Sequence, residues 1–141
     1  METISKTNIT VECTVNAPVE KVWTYWTTPE NISQWNNASA DWHTPHAEND
    51  LRVGGKFLSR MEARDGSIGF DFGGVYDHVQ TNERLEYTIG DGRKVKVQFI
   101  KNGNETKVVE TFEAEHIHSA ELQREGWQSI LDNFKKYVES N

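Results

Sequence analysis

The chain has 141 residues, the size of one ordinary domain, and its 35% apolar content with five Trp can supply a core built from a few bulky rings. Twenty-two acidic against fifteen basic residues give a net charge of −7, which excludes a bulk attraction to nucleic acid or to anionic membrane surfaces. One cysteine excludes an internal disulfide and fits a reducing compartment, the opening METISKTNIT lacks the order of a secretory signal, and apolar residues never run more than two together, too few to span a bilayer.

The expectation is one soluble, cytoplasmic domain over residues 1–141. In chain order, Ile9, Val11, Cys13 and Val15 alternate with Thr10, Glu12 and Thr14, the period of a half-buried strand. Asn16-Ala17-Pro18 stops it, and proline is favoured at the first helical position. Val19, Val22, Trp23 and Trp26 then keep helical spacing. Thr28-Pro29-Glu30 starts a second short helix, with Ile32 and Trp35 on one side.

Asn36 to Ala47 reads as polar and irregular, and Asp50-Leu51-Arg52-Val53 as a short strand ending at Gly54-Gly55. A meander follows. Phe57, Ser59 and Met61 form one inward row, and Ile68, Phe70, Phe72, Gly74 and Tyr76 the next. Leu85, Tyr87 and Ile89 alternate, as do Val95, Val97 and Phe99 up to the hairpin signal Asn102-Gly103. Val108, Glu110 and Phe112 are the inner row of the last strand. Glycines 54, 55, 73 and 74 mark bulges or bends that let a sheet curl, and no phosphate-binding glycine loop is present.

The last segment is helical, capped by Ser119, with Ala120, Gln123, Trp127, Ile130, Leu131, Phe134 and Val138 on one stripe. Strand, two helices, a run of strands and a closing helix is an α+β order. Only the closing helix is long and apolar enough to cover the sheet.

The strings APVEKVWTYWTTPENISQW, NDLRVGGKF, GFDFGGVYDHVQTNERLEYT and QREGWQSILDNFKKYV occur in the order that identifies a START-like (SRPBCC) domain. Within that superfamily the chain resembles stand-alone bacterial proteins similar to the activator of heat-shock-protein ATPase homologue. The resemblance implies the helix-grip, birch-pollen-allergen-like fold: about six or seven antiparallel strands curved around the C-terminal helix, with two short helices after the first strand. It also implies a choice of functions, since the superfamily includes lipid carriers, hormone receptors, aromatases and cyclases, and co-chaperone domains.

The inward rings Phe57, Phe70, Phe72, Tyr76, Tyr87, Phe99, Phe112, Trp127 and Phe134 converge between sheet and helix, where they either fill the core or line a cavity. With the resemblance, the expectation is a cavity for a small hydrophobic or aromatic ligand, of lipid, polyketide or flavonoid type. Its expected contacts are Trp35, Phe57, Ser59, Met61, Phe70, Phe72, Tyr76 and Tyr87, followed by Val97, Glu110, Gln123, Trp127, Ile130, Leu131 and Phe134.

Binding without turnover is the preferred reading. A cyclase- or hydrolase-like enzyme in the same cavity is the alternative, with Glu110 as its one candidate acid or base; Glu110 could instead pair with Arg60 or Gln123. A chaperone-interacting module is the third reading, and it predicts an exposed apolar patch around Trp35 and Trp42. No cofactor is expected. His43 and His46, with Asp41 and Asp50 nearby, and His116 with His118 read as surface loop residues, so no metal is expected either. Cys13 reads as a small core residue. Nucleic acid and membrane insertion are excluded as partners.

Overall fold

A computed structural model gives the fold and describes residues 7–141; the first six residues of the leader reading lie outside the described residues. Strand β1 (Asn8–Val15) leads into helices α1 (Val19–Thr27) and α2 (Pro29–Trp35). Strands β2 (Trp42–Asn49), β3 (Lys56–Ala63), β4 (Gly69–Gln80), β5 (Arg84–Ile89), β6 (Lys94–Asn102) and β7 (Glu105–Glu113) follow, and α3 (Ala120–Ser140) closes the chain. The seven strands form one antiparallel sheet in the order β1-β7-β6-β5-β4-β3-β2. Each sequential hairpin adds a neighbour, and β1 joins the far side of β7. The fold is the α+β helix-grip expected, with α3 packed across the curled sheet. Among the described residues, no helix is long and apolar enough to cross a membrane.

Register lines up the inner rows. Ile9 faces Phe112, which faces Val95, which faces Tyr87; one step along, Val11, Glu110, Val97 and Leu85 form the next row. Curvature comes from β4. Any Cβ on Gly74 would stand 2.4 Å from the Thr88 carbonyl oxygen and 3.0 Å from a Phe57 ring carbon, so only glycine lets the neighbouring strands approach there. A bulge between Tyr76 and His78 adds twist where β4 passes β5.

Four expectations change. Residues 50–53 form no strand: Arg52 N–H donates to the Asp50 carbonyl at 2.9 Å, and Gly54 takes φ +81°, closing a tight turn. The strand lies earlier, over Trp42–Asn49, in the segment read as irregular. A register shift between His43 and His46, at Pro45, breaks the alternation that would have revealed it. His43 and His46 are therefore strand residues, facing Glu62 and Arg60 in register. Ile68 is 61% exposed and does not join the inner row.

The caps follow sequence logic in part. The Leu122 N–H donates to Ser119 Oγ at 3.1 Å, so Ser119 caps α3. Pro29 occupies the first position of α2, whereas Pro18 sits one place earlier than expected, at the cap of α1.

Candidate functional site

A cavity of about 310 Å³ opens between the sheet and α3. Strand β3 supplies Phe57, Ser59 and Met61 to its wall, β4 supplies Phe70, Phe72 and Tyr76, β5 supplies Tyr87, and β7 supplies Glu110. Period-2 geometry puts all of these on one face. Trp127 and Ile130 come down from α3, and Trp35 comes from the end of α2. The rings pair along the wall: Phe57 packs on Tyr87 at 4.9 Å and on Tyr76 at 5.3 Å, and Trp127 stacks on Phe112 at 3.8 Å. Phe70, 46% exposed, stands at the rim beside Trp42.

Four expected contacts lie off the wall. Val97, Leu131 and Phe134 are fully buried in the packed core. Phe134 is held between Trp26 and Trp35, 4.8 Å from each, because the second half of α3 lies against α1, α2 and β1. Gln123 serves the β7–α3 connection: its amide accepts from the Glu115 N–H at 2.9 Å and donates to the Glu115 and His118 carbonyls. Sequence reasoning also missed wall residues. Trp26 and Ile32 lie on helical stripes whose placement over the sheet no periodicity reveals. Asn36, Glu48 and Arg93 come from a loop, an edge strand and a turn.

The electrostatics centre on Glu110. It is only 6% exposed and makes no hydrogen bond or ion pair with any described residue. Its two suspected partners are engaged elsewhere: Arg60 binds Glu62 at 2.9 Å and Asp71 at 3.4 Å, and Gln123 braces the loop. Burial alone pushes the Glu110 carboxyl up from 4.5 to about 8. At neutral pH it is therefore largely a neutral acid, able to donate or accept one hydrogen bond or to exchange a proton.

Tyr87 is likewise buried, its phenol pushed well up by burial first and then by the nearby Glu110 and Tyr76. Tyr76 is pushed up to about 12 by burial, which its hydrogen bond to Asn49 Oδ1 at 2.6 Å only partly offsets. Cys13 is half-buried in the core, and burial pushes its thiol up to about 12, away from nucleophilic thiolate. Among the described residues no group of three or more His, Cys, Asp or Glu could hold a metal ion.

The sequence profile of the family described as activator of Hsp90 ATPase homologue 1-like protein matches residues 16–139. The chain belongs to that family. Two solved bacterial structures support the assignment. The solution structure of an AHSA1-like protein from Aeromonas hydrophila is 47% identical over 95% of this chain and 93% of that one, with a TM-score of 0.90. A protein from Cytophaga hutchinsonii, also solved in solution, is 55% identical over 95% and 93% of the two chains, with a TM-score of 0.82. A Chromobacterium violaceum protein, 22% identical over 96% and 99% with a TM-score of 0.85, shares the fold. A search among curated proteins finds no match. Membership in the Hsp90-activator-like family thus accounts for the grip architecture.

Proposed function

We propose that the protein binds a small hydrophobic, aromatic molecule, of polyketide, flavonoid or compact lipid type, in the cavity between sheet and α3, without turnover. One observation carries this reading: a ring-lined hollow of about 310 Å³ retains a buried carboxyl that no protein group satisfies. Protein interiors are close-packed and their buried polar groups are paired, so the unfilled space and the unpaired acid together suit an occupant. The volume is at the low end for ligand pockets, which favours compact ring systems over long acyl chains. The lone Cys13 agrees with a cytoplasmic setting.

The test is a thermal-shift and NMR screen with fatty acids, flavonoids and polyketide-like aromatics, repeated on Ile130→Trp. The added indole fills the hollow from α3. A compact aromatic should raise Tm for the parent protein and leave the variant unmoved. No shift with any compound, or equal shifts in both proteins, would reject the cavity as the binding place.

A second reading, a cyclase- or hydrolase-like enzyme, draws support from the same acid, whose value near neutrality suits proton transfer. Under it Glu110→Gln would abolish turnover while binding persists. For the chaperone-interacting reading, Trp35 is 4% exposed and packed on Trp26 and adds nothing to a surface patch, while half-buried Trp42 beside the 46% exposed Phe70 is the part of the expected patch that stays at the surface.

A further inference from the structure

Buried polar atoms report what they are built to meet. Around the cavity most are satisfied within the protein. Tyr76 donates to Asn49, Asn36 donates to Ser59 Oγ at 3.1 Å, the Trp35 indole donates to the Tyr25 carbonyl at 2.9 Å, and Arg93 is held by Asp91 and the Glu113 carbonyl. Glu110 and Tyr87 are among the exceptions. They are 6% and 7% exposed, both line the cavity, and neither has a hydrogen-bond partner among the described residues. The indole N–H groups of Trp26 and Trp127 on the same wall also lack protein acceptors, so the unmatched groups are rich in donors.

Sheet geometry places these two together. Tyr87 on β5 and Glu110 on β7 flank β6 on one face, two residues apart in register, since Tyr87 pairs with Val95 and Glu110 with Val97. Two interstrand steps and the two-residue offset put their backbones about 12 Å apart on a diagonal, and both side chains line the same cavity. A buried carboxyl that forms no ion pair with any described residue keeps its proton.

We infer that Tyr87 and Glu110 are the recognition end of the cavity: two neutral O–H donors that select a compact aromatic ligand carrying a carbonyl-type acceptor oxygen. The inference rests on the cavity-binding reading and narrows its ligand class. A hydrocarbon of equal shape leaves both donors unmatched, and a site built around buried donors discriminates against it.

Three probes with one frame test this: benzophenone, diphenylmethane and diphenylmethanamine. Affinity is measured by NMR titration against the wild type, Tyr87→Phe and the double variant Tyr87→Phe/Glu110→Met. The wild type should bind the ketone about ten-fold or more tightly than the hydrocarbon. Tyr87→Phe should reduce that ratio several-fold, and the double variant should erase it. The infrared carbonyl stretch of bound benzophenone should lie lower in the wild type than in the Tyr87→Phe protein. Should the double variant not fold, Tyr87→Phe, which removes one hydroxyl and keeps the ring, decides the matter alone. Equal binding of ketone and hydrocarbon overturns the donor pair while leaving the cavity reading intact, as does a preference that survives the variants. Tightest binding of the amine also overturns it, because Glu110 would then serve as an anion. Failure of all three probes and of the wider screen removes the cavity reading and this inference with it.

Discussion

Around Phe134 the interior is solid; around Glu110 it is hollow. Both regions are walled by aromatic rings. In the first, Trp26, Trp35 and Phe134 meet mutually at 4.8 to 4.9 Å, with Trp23 closing on Phe99 at 5.2 Å. In the second, Phe57, Tyr76 and Tyr87 pack along the sheet, and Trp127 reaches Phe72 only at 6.2 Å. The difference lies in what covers the sheet. At the solid end the two short helices interlock with Phe134 of α3, whereas Trp26, Ile32 and Trp35 of those helices and Trp127 and Ile130 of α3 border the hollow without filling it. Ring content therefore does not decide whether a core fills; how closely the covering elements interlock does.

The sharpest way to break this contrast is truncation at each end. Phe134→Ala, at a fully buried ring, should cost about 3–5 kcal/mol in urea denaturation, whereas Phe72→Ala, beside space that is already empty, should cost less than about 1.5 kcal/mol. Equal losses would mean that the hollow end is as tightly packed as the other.

Glu110 offers the next largest effect. The folded protein keeps its proton up to about 8, while the unfolded chain releases it near 4.5. Folded protein thus binds more protons across that window, so stability falls as pH rises from about 4.5 to about 8 and the contribution is flat above it. Cys13, Tyr76 and Tyr87, all pushed up by burial, remain protonated throughout. Glu110→Gln should remove this dependence and stabilise the neutral-pH protein by about 2–3 kcal/mol. A parallel pair of stability-versus-pH curves would show that Glu110 is solvated or paired after all.

The smallest effect tests the roof. Gly126 lies inside α3 and a Cβ there would meet nothing within 4 Å, so Gly126→Ala should stabilise the helix by about 1 kcal/mol. Destabilisation would place the sheet or an occupant closer to α3 than the hollow implies.

Much of the architecture was legible because strict alternation in β1, β3, β5, β6 and β7 and one apolar stripe on α3 can be satisfied by few arrangements. Strand β2 was not legible, since its polar content and its irregularity at Pro45 remove the very period that marks a strand. The wall of the cavity divides on the same line. Strand residues such as Phe57, Ser59, Tyr87 and Glu110 follow from parity. Trp26 and Ile32 depend on how two helices dock, and Gln123 depends on a hydrogen-bonded connection, neither of which a one-dimensional pattern encodes. Phe134 and Leu131 share a stripe with Trp127, yet a helix that crosses different neighbours along its length buries one end and leaves the other facing space.

The irregular strand has a further effect. An open sheet has two rims, β1 and β2, and a bare rim invites strand addition from another chain. On β2 the offset between His43 and His46 interrupts the regular ladder, and Pro45 has no N–H to offer an incoming strand. The feature that hid β2 from periodicity also makes that rim a poor template for self-association.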